Sequence, residues 1–155
     1  MPIYYSEYDH ALDPQCRITL PSSWRSDSAM VLLPTVGKAL ILFPEDVLME
    51  VFNKVKQLSI ANPKLQKVFA ALGSQARPCK CDKQGRMALD RNKLDQIGVK
   101  NQVKLIGALT HIRIVAPETW QEPSPDELLD CLSEINGLIE SENPLATLLG
   151  AIAEK

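Results

Sequence analysis

Two nine-residue stretches decide how this chain folds, Asp13-Pro14-Gln15-Cys16-Arg17-Ile18-Thr19-Leu20-Pro21 and Asp82-Lys83-Gln84-Gly85-Arg86-Met87-Ala88-Leu89-Asp90. They align without a gap at an offset of 69 residues and share Asp, Gln, Arg and Leu. Self-similarity on that scale marks a supersecondary unit present twice. The likeness extends downstream, because each stretch is followed by an apolar strand that runs into Pro-Glu, first as Leu40-Ile41-Leu42-Phe43-Pro44-Glu45 and again as Ile112-Arg113-Ile114-Val115-Ala116-Pro117-Glu118.

Each copy reads as strand, tight turn, strand, short helix and two more strands. Before the first turn, Tyr8, His10 and Leu12 alternate with Glu7, Asp9 and Ala11, the period of a half-buried strand. Asp13 followed by Pro14 suits a type I turn, since proline fixes φ and the aspartate side chain can accept from the turn backbone. Asp82-Lys83-Gln84-Gly85 repeats the design, with Gly85 free to take positive φ. Cys16 stands at the equivalent place without that freedom, so a tighter or more strained first turn is expected. Arg17 to Leu20 makes a short strand, and Pro21-Ser22-Ser23-Trp24-Arg25 opens a short helix. Met30 to Leu33 and Lys38 to Phe43 form a hairpin around Thr35-Val36-Gly37. The second copy supplies a helix from Asn92 to Ile97 closed by Gly98, then strands Gln102 to Ile106 and Ile112 to Val115.

Helices join and follow the copies. Glu45 to Leu58 places Val47, Leu48, Val51, Phe52 and Val55 on one face. Asn62, an N-cap with Pro63 behind it, starts a second helix with Leu65, Val68, Phe69 and Leu72 inward. Ser124-Pro125-Asp126-Glu127 is a capping box that leads into Leu128, Leu132, Ile135 and Ile139, and Asn143-Pro144 starts a last short helix. These C-terminal helices read as amphipathic elements packed on the body or on a neighbouring subunit.

Charge is distributed unevenly. Residues 1–76 hold 7 basic and 7 acidic residues, 77–120 hold 9 and 4, and 121–155 hold 1 and 8, so the net values run 0, +5 and −7. A basic middle beside an acidic tail suits a surface for a polyanion with a segment that faces elsewhere. No run approaches the roughly 18 apolar residues that a membrane helix needs, and the opening residues carry no secretion pattern. A cytoplasmic protein with reduced thiols at Cys16, Cys79, Cys81 and Cys131 is therefore expected. The Cys79-x-Cys81 spacing lacks a second ligand pair, so no metal and no cofactor are expected. Catalysis is not expected either, for the chain has no nucleophile–base set, no glycine-rich phosphate loop and only the isolated His10 and His111.

The chemistry instead concentrates at the turns. An arginine beside a tight turn can reach a phosphate or make a bidentate contact to a guanine edge, and a nearby carboxylate can hold its guanidinium in one orientation. Arg17 and Arg86 are the candidate DNA contacts, with Asp13 and Asp82 positioning them. The alternative is that each Asp–Arg pair serves only to close its turn. Gln15, Lys83 and Gln84 lie between the motif ends and can add polar or phosphate contacts, while Arg25, Lys80 and Arg91 can widen the basic surface.

The repeated D-x-x-x-R turn in strand–turn–strand context resembles the MraZ family, most closely over Tyr5 to Pro21 and then through Asp82-Lys83-Gln84-Gly85-Arg86 to about Trp120. The resemblance implies an α+β fold in which two tandem β-rich MraZ/AbrB-like repeats form a swapped-hairpin (double-split) β-barrel with connecting and C-terminal helices. On that basis residues 1–58 and 77–122 are the repeats, 59–76 the inter-repeat helix and 123–155 an acidic helical extension. It also implies a nucleoid-associated transcriptional regulator that binds double-stranded promoter DNA, as a ring-shaped homo-oligomer gripping short G-rich direct repeats upstream of a division and cell wall gene cluster. A different outcome would be an AbrB-like antitoxin or protein-binding module that keeps the fold with little DNA affinity. The chain departs from the family pattern at Cys16, where glycine is usual, at Asp90 in place of proline, at Leu94 in place of arginine, and at Gln66 and Ala70 in place of basic residues. These positions bear on operator preference and binding strength.

Overall fold

The computed structural model describes residues 3–54 and 61–141. The chain divides into a body through Thr119 and a C-terminal unit from Trp120. In the body the first copy contributes β1 (Glu7–Ala11), β2 (Arg17–Thr19), a 3-10 turn (Ser22–Trp24), β3 (Met30–Thr35) and β4 (Ala39–Pro44). Helices α1 (Glu45–Asn53) and α2 (Pro63–Gln75) follow. The second copy gives β5 (Arg77–Cys79), β6 (Arg86–Ala88), α3 (Arg91–Gln96), β7 (Gln102–Gly107) and β8 (Ile112–Val115). The expected stretch of helix beyond Lys54 as far as Leu58, and the last helix from Asn143, lie outside the described residues.

Among the described residues all strand pairing is antiparallel, and most of it crosses between the copies. Six strands form one sheet in the order β1-β7-β8-β4-β3-β5, and β2 and β6 form a separate two-stranded ribbon. Only the β3–β4 and β7–β8 hairpins pair within a copy; the opening strand of each copy instead joins the other copy's hairpin, Tyr8 opposite Leu105 and Arg77 opposite Leu32. The hairpins meet along β4 and β8, with Ile41 opposite Arg113. In neither copy does the opening strand pair with its own hairpin. Pro78 sits in β5 at the sheet's edge, where its missing N–H costs no ladder bond.

Period-2 alternation sends one face of each strand into a shared core. Leu32, Leu40, Leu42, Val103, Leu105, Ile112 and Ile114 are buried, as are Ile18 and Met87 from the ribbon. Each large aliphatic side chain so buried contributes about 1.5–3 kcal/mol. Tyr4 and Tyr8 both meet Trp24 edge-on, with centroids 5.9 and 5.0 Å apart, which pins the N-terminal strand over the 3-10 turn.

Local chemistry sets the helix starts. Asn62 accepts from the backbone N–H groups of Lys64 and Leu65 at 3.0 and 3.4 Å, with Pro63 behind it. Phe52 of α1 meets Phe69 of α2 at 5.3 Å, consistent with the inward faces expected of both helices. Asp90 caps α3, accepting from Asn92 and Lys93, and pairs with Arg77 at 3.1 Å. That double role accounts for an aspartate at a place where proline would also suit a helix start.

In the C-terminal unit, α4 (Pro125–Ser141) begins where Ser124 Oγ accepts from the N–H of Glu127 at 3.2 Å. Its apolar stripe was expected to be packed away. Leu128, Leu132 and Ile135 are 48–56% exposed in the single chain, so the helix carries the expected apolar pattern on an accessible face.

Candidate functional site

The ribbon brings together two turns that stand 69 residues apart in the chain. In register, Arg17 lies opposite Ala88, Ile18 opposite Met87 and Thr19 opposite Arg86. Ile18 and Met87 point inward, so by alternation Arg17, Thr19, Arg86 and Ala88 share the outward face. Arg17 and Arg86 are thus diagonal neighbours, a relationship that places residues roughly 7–8 Å apart. The ribbon is tied at both ends, because Leu20 N–H donates to Gly85 and Leu89 N–H donates to Cys16, each at 2.9 Å.

Each turn is built around its aspartate. Asp13 Oδ1 accepts from the N–H groups of Gln15 and Arg17, both at 2.8 Å, while Oδ2 accepts from Arg17 Nε at 2.6 Å. Asp82 Oδ1 accepts from Gln84 and Arg86, both at 2.9 Å, and Oδ2 from Arg86 Nε at 2.8 Å. One carboxylate therefore organises two turn amides and a guanidinium at once. Because only Nε of each arginine is engaged, its two terminal nitrogens have no partner among the described residues. The side chains are 28% exposed at Arg17 and 38% at Arg86, enough for a ligand to reach them.

The carboxylates respond electrostatically. Partial desolvation pushes Asp13 upward, but the Arg17 amide, the Arg17 guanidinium and the Gln15 amide outweigh it and hold the carboxyl below its ordinary value. At Asp82 the Arg86 amide leads, and the net result is again a lowered value. Both groups are ionised at neutral pH, when the arginines need them.

The turns differ at their fourth residue. Gly85 takes φ +79°, and Cys16 occupies the same left-handed region at +59°. The strain expected at Cys16 is thus local to one residue, and the hydrogen bonds of the turn are unaltered.

The remaining sequence-predicted residues separate into two groups. Gln15, Lys83, Gln84, Lys80 and Arg25 are exposed. Arg91 is committed elsewhere: it pairs with Asp95 at 2.7 Å, donates to the carbonyls of Val99 and Lys100, and leaves Nη1 3.9 Å from Cys16 Sγ. Both of its terminal nitrogens are engaged in place. Sequence reasoning missed His10, whose Nε2 accepts from Thr19 N–H at 3.3 Å while Nδ1 lies 2.6 Å from the Ala11 carbonyl. That pattern assigns the proton to Nδ1 and ties β1 to the ribbon. Only the strand register exposes it. Among the described residues no three His, Cys, Asp or Glu side chains are grouped to hold a metal, and no helix is long and apolar enough to cross a membrane.

No protein-family profile matches the chain. It is, however, 31% identical over 127 residues to the transcriptional regulator MraZ of Caldicellulosiruptor saccharolyticus, which covers 79% of this chain and 87% of that protein. The transcriptional regulator MraZ of Lachnoclostridium phytofermentans is 28% identical over 137 residues, covering 85% and 96%. That of Clostridium beijerinckii is 29% identical over 122 residues, covering 77% and 86%. Identity and coverage of that extent, together with the paired Asp–Arg turns, establish that the chain belongs to the MraZ family.

Proposed function

We propose that this protein is a DNA-binding transcriptional regulator whose contact surface is the outward face of the β2–β6 ribbon. The observation that carries the reading is the pair of aspartate-held arginines, Arg17 and Arg86, displayed on one two-stranded ribbon. A B-DNA major groove is roughly 12 Å wide and admits such a ribbon. Guanidiniums fixed at Nε keep their terminal nitrogens for a guanine edge or a phosphate. Gln15, Lys83 and Gln84 on the turn tips add polar and phosphate contacts, and Lys80 extends the basic margin. Arg91, whose terminal nitrogens are already engaged by Asp95 and by the Val99 and Lys100 carbonyls, contributes through the fold rather than through DNA.

The exchange of opening strands between the copies supports a swapped-hairpin barrel as the scaffold, with the repeats at 1–58 and 77–122, the inter-repeat helix at 59–76 and the extension at 123–155. Cytoplasmic, nucleoid-associated homo-oligomers, arranged as rings, would present many ribbons to short G-rich direct repeats in the promoter of a division and cell wall gene cluster. Modest affinity at each ribbon then becomes strong binding through effective concentration. The relatives named as transcriptional regulators support a regulatory role. Selection of bound duplexes from random-sequence DNA tests the proposal: recovery of G-rich direct repeats is expected, and a pool that remains random after repeated rounds contradicts it.

A further inference from the structure

The second turn carries a basic group that does not belong to its own copy. A β-carbon built on Gly85 would fall 2.1 Å from Arg25 Nε, 2.4 Å from its Cζ and 2.8 Å from its Cδ. The Arg25 side chain therefore occupies the space that the glycine leaves, at the residue that precedes Arg86 in the turn. Its Nε donates to the Leu20 carbonyl at 2.9 Å, which fixes the plane of the guanidinium. The residue is exposed, and its terminal nitrogens have no partner among the described residues. Among the described residues no carboxylate pairs with it, in contrast to Arg17, Arg77, Arg86 and Arg91.

The first turn has no counterpart. Cys16 carries a side chain at the left-handed position where Gly85 leaves room for Arg25. An arginine of the other copy, Arg91, does lie against Cys16, but its terminal nitrogens are taken by Asp95 and by the carbonyls of Val99 and Lys100. Along the sequence repeat, Arg25 aligns with Leu94, which is fully buried.

We propose that Arg25 is a DNA-contacting residue laid across the second turn by Gly85, so that this turn grips the duplex with two guanidiniums and the first with one. The inference rests on the DNA-binding reading above and deepens it, making the two halves of one ribbon unequal in charge. A ribbon of this kind has a preferred direction along a direct repeat. A pair of equivalent turns would not impose one.

The test uses the full-length protein and a duplex recovered by the selection described above, titrated at several salt concentrations. Arg25→Met keeps most of the apolar stem that packs over the turn and removes the charge. It is expected to weaken binding several-fold and to lower the slope of log affinity on log salt by about one per engaged ribbon, with the thermal midpoint unchanged. Arg25→Lys restores part of the salt slope. Gly85→Ala intrudes on the Arg25 side chain, so its loss of affinity is expected to shrink when Arg25 is already Met. A salt slope unaltered by Arg25→Met, in a protein still weakened by Arg86→Ala, overturns the assignment of Arg25 alone. A Gly85→Ala loss that persists undiminished in the Arg25→Met background overturns the positioning by Gly85. Wild-type protein that binds no duplex overturns the DNA-binding reading and this inference with it.

Discussion

At the first turn a cysteine holds φ +59° with its thiol toward Arg91, whereas at the second a glycine holds φ +79° under the side chain of Arg25. Around those residues the hydrogen bonds match one for one, from the aspartate that collects two amides and a guanidinium to the reciprocal bonds that tie the ribbon's ends. The Asp–Arg frame is thus what the fold requires twice. The fourth turn position is where the copies diverge: the space beside Gly85 is taken by the Arg25 side chain, whereas Cys16 has Arg91 against its thiol.

The largest test of that comparison lies beneath the turns. Ile18 and Met87 face each other on the buried side of the ribbon, so Ile18→Ala and Met87→Ala should each destabilise by about 2–5 kcal/mol. Chemical denaturation measures both, and a near-zero effect at one site would show that the ribbon is supported from one copy only. Next, Gly85→Cys gives the second turn the first turn's residue. A left-handed non-glycine costs about 1–2 kcal/mol, and displacement of Arg25 adds to it, so a lower thermal midpoint and weaker duplex binding are expected together. The reverse exchange, Cys16→Gly, should stabilise by on the order of 1 kcal/mol or less, because relief of the left-handed strain is partly offset by chain entropy. A destabilised Cys16→Gly variant would mean that the thiol's packing against the core and its contact with Arg91 outweigh the strain.

The smallest effect is a pH response common to both turns. Asp13 and Asp82 have lowered folded values, so their contribution to stability is fully present above the ordinary carboxylate value of about 4. It is lost as pH falls through the lowered values, since the unfolded chain then binds more protons. Unfolding midpoints followed against pH should show this acid loss in the wild type and a smaller one in Asp13→Asn with Asp82→Asn. An undiminished acid loss in the double variant would assign it to other groups.

Much of this was legible in the sequence because it depends on neighbours in the chain. The turns, with their Asp and Arg four apart, the Asn62 cap, the two hairpins and the Gly98 stop are all local, and the offset of 69 exposed the repeat. What could not be read depends on partners far along the chain. The joining of β1 to β7 and of β5 to β3 is set by how two incomplete sheets cover each other, and Pro78 made β5 a poor strand by composition. The contrast between Arg25 and Arg91 was equally hidden. Both are arginines near a turn, and only the positions of Asp95, Gly85 and Cys16 show that one is spent within the fold while the other faces outward.

The central claim is tested most directly by Arg17→Ala combined with Arg86→Ala, assayed by electrophoretic retardation of a selected duplex with circular dichroism of the same sample. Retardation should disappear while the β-sheet signal and the assembly size remain those of the wild type. Retardation that persists at wild-type protein concentrations would contradict the account.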